Sequence, residues 1–224
     1  MEDVLDVYTQ PYDPQHPQVC FDETSVQLTK DSRPPLPPRP AQDERPGLPA
    51  RQDYEYERQG TANVFLWCEP LAGQRHVSVT AHRTKVDFAY AIRELVDDHY
   101  PDAEQIVLVL DNLNTHTPAS LYEAFPPEEA KRLTDRLEIH YTPKHGSWLN
   151  MAEIELSVLA RQCLADRIPG MLPLQRETAA WEARRNAAHR TIDWRFTTAD
   201  ARIKLKHLYP VITDDALPIT ANDS

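Results

Sequence analysis

Asp111 stands at the end of five consecutive aliphatic residues, Ile106 to Leu110. A short, β-branched apolar run of this kind predicts a strand buried on both faces, in the middle of a sheet flanked by helices. Asp111 is then at the carboxyl end of that strand, where open α/β sheets gather their ligands. A carboxylate there must find an ionic partner or bind a cation, because an unpaired charge beside a buried strand is expensive. Capping of the following helix is the alternative. An acidic pair, Asp22 and Glu23, follows Val19, Cys20 and Phe21. In strict alternation Cys20 and Asp22 share one face and Phe21 and Glu23 the other, so one acid must point to the interior or into a cleft. The other reading is an edge charge that discourages aggregation.

The elements that must position these acids follow from pattern and punctuation. Gln18 to Leu28 alternates as a strand. Residues 31–60, rich in proline, predict an extended insertion loop. Ala62 to Glu69 and His76 to His82, joined by Pro70 to Gly73, read as a hairpin. Lys85 to Tyr100 carries apolar residues at helical spacing and is stopped by Pro101. After the Asp111 strand, two short proline-started helices (ASLYEAF and EEAKRLTDR) precede a strand at Leu137 to Thr142. From Ser147 a helix runs to about Asp166, with Leu149, Ala152, Leu156, Leu159, Ala160 and Cys163 as its apolar stripe. This order is that of a ribonuclease H-like fold: an α/β architecture with a mixed five-stranded sheet and helices on both faces. In it the first and fourth strands lie side by side, so Asp22 faces Asp111, and a third acid is expected from the last helix. Glu153 sits at the edge of the stripe and Glu155 about 200° further round, which selects Glu153.

Length and charge bound the rest. The chain has 224 residues, of which 41% are hydrophobic and 26% charged, enough for one sizeable core with appendages. We expect a ribonuclease H-like unit over residues 1–170, including the 31–60 insertion, and a helical carboxyl-terminal extension over 171–224. Within the extension Pro173 to Arg190 and Thr198 to Tyr209 are helical, and the acidic stretch Asp214 to Ser224 is frayed. No apolar run reaches the roughly 20 residues of a membrane span, and the start is acidic, so a cytoplasmic location is expected. The separated cysteines, Cys20, Cys68 and Cys163, are expected to be reduced core thiols. A net charge of -11 argues against general DNA coating. From Leu156 to Tyr209, however, ten Lys or Arg stand against five Asp or Glu, a local balance of +5.

Three segments, FDE at Phe21 to Glu23, LDNLNTH at Leu110 to His116 and YTPKHGSWLNMAE at Tyr141 to Glu153, resemble the DDE transposases of mariner-type bacterial insertion sequences, relatives of retroviral integrases. The resemblance again picks Glu153, and it implies DNA strand cleavage and strand transfer by Asp22, Asp111 and Glu153. Such an in-line displacement uses two Mg2+ (or Mn2+) about 3.5 to 4 Å apart. Mg2+ prefers oxygen ligands, which accounts for Asp, Asp and Glu in place of Cys or His. Asp22 and Asp111 would be the shared ligands and Glu153 the ligand of the second ion. Before metal binds, the acids should raise one another's pKa. The resemblance also offers His116 to orient a phosphate or water, or as a structural helix-start histidine. Asn112 would hold the carboxylate or its loop, Asn150 the final helix, and Lys144 and His145 phosphates. The expected partner is double-stranded DNA, transposon ends and target, engaged by a homodimer acting at the nucleoid. The family's amino-terminal helix-turn-helix has no room before Asp22.

A competing reading makes the chain an inactive remnant, or a non-catalytic module that holds DNA or another subunit. The acidic net charge and the short amino-terminal segment favour it, and retention of all three acids within their motifs disfavours it.

Overall fold

Alternation along the strands divides the core in two, and a computed structural model, describing residues 1–41, 46–51, 53–144 and 146–209, shows what covers each face. Helix α1 (Glu2–Tyr8) precedes β1 (Gln18–Asp31), β2 (Tyr56–Glu69) and β3 (Gln74–Thr80). Helix α2 (Lys85–Glu94) widens into a π turn at Leu95–His99 before β4 (Ile106–Leu110). Helices α3 (Pro118–Ala124) and α4 (Pro127–Asp135) lead to β5 (Leu137–Tyr141). Helices α5 (Met151–Gln162), α6 (Met171–Ala187) and α7 (Thr198–Lys204) complete the described chain. The sheet order is β3-β2-β1-β4-β5, with β1 antiparallel to β2 and parallel to β4. This is the mixed sheet of the ribonuclease H-like fold, with β1 and β4 adjacent as the element order predicts.

Val19, Phe21, Phe65, Trp67, Ile106, Leu108 and Leu110 point to the face covered by α2, α3 and α4. Their neighbours Cys20, Val64, Leu66, Cys68 and Val109 point to the other face, where Leu5, Leu156, Leu159, Leu174 and Trp181 pack from α1, α5 and α6. The period of two along each strand is therefore what assigns helices to layers. Cys20 and Cys68 are free, buried cross-strand neighbours, and Cys163 is a free, half-buried thiol.

Strands β1 and β2 are longer than expected. They continue past the core to pair Asp31 with Tyr56, and isolated bridges Leu36–Arg51 and Arg39–Leu48 carry the pairing into the proline-rich segment. What the proline content suggests is a plain loop is a two-stranded arm, with proline confined to unpaired positions. Its root is held by Arg167, which donates to Asp31 and to the main-chain oxygens of Asp53, Tyr54 and Glu55.

The carboxyl-terminal helices pack into the same apolar cluster as α1 and α5. Helix α6 covers the outer edge of β3, whose unpaired main-chain groups would otherwise offer a template to another chain. Asn186 accepts from Arg75 N at 2.8 Å and donates to Arg75 O at 2.7 Å, while Glu182 accepts from Val77 N at 2.8 Å. The expected frayed stretch at Asp214 to Ser224 lies outside the described residues.

Candidate active site

The parallel register pairs Cys20 with Val109. Two residues further on each strand come Asp22 and Asp111, so register alone brings the two carboxylates to one end of the central strand pair. Asp22 is largely buried and its carboxyl is pushed up from 3.8 to about 7. Burial is the main cause, with the negative charges of Asp111 and Glu23 adding to it, and the hydrogen bond from Glu23 N at 2.8 Å opposing it. Repulsion between acids, the expected source of the shift, is thus second to desolvation.

Asp111 is held from the loop that follows it. His116, fully buried, meets Asp111 Oδ1 through Nδ1 at 2.5 Å, and its Nε2 lies 2.8 Å from Glu23 Oε2. The second approach is an ion contact out of line for a hydrogen bond, leaving both atoms buried without a hydrogen-bond partner. Burial pushes the imidazole pKa down, but the Asp111 and Glu23 carboxylates outweigh it and raise His116 to about 9. Phe21 and Phe88 close around the ring at centroid distances of 5.7 and 4.8 Å, and Tyr141 Oη donates to the His116 main-chain oxygen at 2.8 Å. His116 thus makes a structural hydrogen bond to Asp111. Asn112, expected to secure the carboxylate, is exposed.

The amino-terminal end of α5 is fastened to the same strand. Asn150, fully buried, caps α5 by accepting from Ala152 N at 3.1 Å and donates from Nδ2 to Phe21 O at 2.8 Å. Tyr8 from α1 donates to the neighbouring Leu149 O at 2.6 Å. The turn before α5 needs glycine: a Cβ on Gly146 would lie 2.5 Å from Pro143 Cγ. Glu153, in the first turn of α5, is therefore three residues from a side chain bonded to the residue before Asp22. Its own side chain is exposed. Among the described residues, no three His, Cys, Asp or Glu groups converge closely enough to hold an ion as they stand.

The reading of Glu155 as pointing away from the core is corrected by the structure. Glu155 is buried, 2.8 Å from Arg75 NH2 and 2.8 and 2.9 Å from Arg185 NH2. Helical spacing alone misplaced it because α5 is covered on a second side by α6, whose Arg185 supplies the partner. Ala160, assigned to the stripe, is exposed. Lys144 is exposed in the turn before Ser147, beside a cavity of about 260 Å³ shared with Trp148 and Leu208. His145 lies outside the described residues. The side chain that sequence reasoning left out of the site is Glu23; its alternation with Phe21, whose ring is buried on the α2 side, is the signal that could have included it.

Comparison with known proteins gives three findings. The family model described as DDE superfamily endonuclease matches residues 17–171. No curated protein sequence matches the chain. Among solved structures, the Mos1 strand transfer complex is similar over 80% of this chain and 50% of that chain, with 13% identity and a TM-score of 0.53. The chain thus spans half the length of the Mos1 chain, and the likeness is one of fold. A simian T-cell lymphotropic virus intasome in complex with the PP2A regulatory subunit B56 gamma matches over 95% of this chain and 64% of that one. Its identity is 10% and its TM-score 0.40, too low to bear on the fold.

Proposed function

Because the chain belongs to the DDE superfamily of endonucleases, we propose that it is the catalytic part of a transposase, cleaving DNA and joining strands at a site formed by Asp22, Asp111 and Glu153. The observation that carries this reading is the burial of Asp22 beside Asp111 at the carboxyl end of two adjacent parallel strands. A structural acid in that position would be neutralised by a basic neighbour. The Asp22 carboxyl instead has its affinity for protons raised, a state that a divalent cation would reverse. The donor set is all oxygen, which suits Mg2+ or Mn2+.

In this reading Asp22 and Asp111 hold the cations jointly, and Glu153 contributes from the first turn of α5. Two bound ions would stabilise the attacking and leaving oxygens of the phosphodiester displacement. His116 keeps one Asp111 oxygen occupied and so limits how that carboxylate can turn. Asn150 sets where α5 begins relative to β1. Lys144 and the exposed arginines of α6 and the segment after it are the candidate phosphate contacts. Double-stranded DNA is the substrate, and a homodimer is the active form.

The test is nicking of supercoiled plasmid with and without Mn2+, in parallel with thermal unfolding. A ligand that binds only the folded state raises the melting temperature by mass action. Mn2+ should produce both the rise and the nicks, and Asp111→Asn should abolish both. A wild-type chain indifferent to millimolar Mn2+ in both assays would leave the non-catalytic binding module as the better reading.

A further inference from the structure

The buried chain of contacts from Asp111 does not end at His116. Glu23 has a side chain only 3% exposed, on the face of β1 opposite to Asp22, and its Oε2 lies against His116 Nε2. A carboxylate so deeply buried is expensive unless compensated. Its other cationic neighbour, Arg83, is exposed and 3.8 Å away. The imidazole is the compensation, and its second nitrogen is spent on Asp111 Oδ1. Groups that hydrogen-bond a metal ligand orient it, as His116 does Asp111, and loss of such a group lowers metal affinity roughly 10- to 100-fold; Glu23 stands one contact behind it.

We propose that Glu23 is a positioning residue for metal capture: acting through His116, it fixes which oxygen of Asp111 is left to face the cation. The inference rests on reading Asp111 as a metal ligand. Without Glu23, the ring loses the contact that sets its angle between Phe21 and Phe88. Asp111 is then free to rotate, and both of its oxygens compete for the same donor. Glu23 touches neither the cation nor DNA in this scheme. Its two-residue motif with Asp22 therefore serves both faces of β1: Asp22 on the α5 side and Glu23 on the α2 side, converging on one carboxylate.

The experiment is a Mn2+ titration of the melting temperature of the full chain, for wild type, Glu23→Gln, His116→Asn and the double variant. For Glu23→Gln, the Mn2+ concentration needed for a given rise should increase about tenfold or more. The double variant should shift no further than His116→Asn alone, because the two act in series. A lower metal-free melting temperature with an unchanged dependence of the rise on Mn2+ would make Glu23 merely structural and overturn the proposal; so would additive shifts in the double variant. Should Glu23→Gln fail to fold, Glu23→Asp, which keeps the charge and withdraws it from His116, gives the same reading of the Mn2+ dependence. Absence of any Mn2+ response in the wild type would mark a different failure, that of the metal site itself, and the proposal would fall with it.

Discussion

Asn150 Nδ2 donates to Phe21 O at 2.8 Å, and both residues are fully buried. This single hydrogen bond spans 129 positions of sequence and ties the start of α5, which carries Glu153, to the residue before Asp22. The same side chain accepts from Ala152 N as the helix cap.

Replacing Asn150 by alanine removes the cap, worth about 1 kcal/mol, and leaves Phe21 O buried without its donor, roughly 1–3 kcal/mol more. We expect a loss of about 2–4 kcal/mol in denaturant unfolding. Nicking should fall further than the folded fraction does, because the helix is no longer held in register with β1. An Asn150→Ala chain that is destabilised but nicks normally per folded molecule would show that α5 is positioned by its apolar contacts alone.

The two glutamates of α5 should separate cleanly by assay. Glu153 is exposed, so Glu153→Gln should leave stability within about 0.5 kcal/mol of wild type while eliminating metal-dependent nicking. Glu155 sits between Arg75, fully buried, and Arg185. Removing its charge strands a buried guanidinium whose Nε and NH1 already lack partners, at about 3–5 kcal/mol. Glu155→Gln should therefore act through stability. If Glu155→Gln retained full stability and lost nicking, the assignment of the third acid would move two residues along the helix.

The layers of the fold are legible in the sequence because each strand alternates or runs apolar according to how many faces it buries. Ile106 to Leu110 announces a central strand, and Asp111 follows at its end. Proline and glycine mark the turns. Less legible is anything decided by partners distant in sequence. Nothing near Glu155 signals Arg185, and nothing near Glu23 signals a histidine 93 residues later. Helix α1 escaped notice because seven residues offer too little periodicity, although its Tyr8 reaches Leu149 O. The prolines of the insertion concealed a paired arm, since pairing there is a matter of spacing across a turn and not of composition.

The raised carboxyl of Asp22 makes metal-free stability depend on pH. With a folded pKa of about 7 against 3.8, the folded chain holds more protons than the unfolded chain between those values. Stability must then fall as pH rises from about 4 to 7. A gap of about three units corresponds to on the order of 4 kcal/mol at the top of that window. His116 acts in the same sense at higher pH: its folded pKa of about 9 gives stability that is whole below 6.5 and lost as pH passes 9. Asp22→Asn removes the first effect. In metal-free buffer it should be more stable than wild type at pH 8 by a few kcal/mol, match it near pH 4, and no longer respond to Mn2+. A wild-type chain whose stability rises between pH 5 and 7 relative to Asp22→Asn would contradict the buried, charge-disfavouring site.

DNA binding must overcome a net charge of -11, which opposes long-range attraction to a polyanion. The charge is not evenly available. Arg167, Arg185, Arg195, Arg202 and Lys204 each pair with an acid. Among the described residues, Arg161, Arg176, Arg184, Arg190 and Lys206 are exposed and make no ion pair. These can release counterions from phosphates, and each such contact adds about 0.9 to the slope of log affinity against log salt. Contacts of this type position a duplex without reading its bases. We therefore expect weak binding that steepens sharply as salt is lowered. Replacing Arg184 and Arg190 together by alanine should reduce the salt slope by about 2, with no change in the melting temperature or in its response to Mn2+. Fluorescence anisotropy with a labelled duplex between about 50 and 200 mM salt measures the slope directly. An unchanged slope in the double variant would move the phosphate contacts off this face, with Lys144 and the turn before α5 as the next place to look.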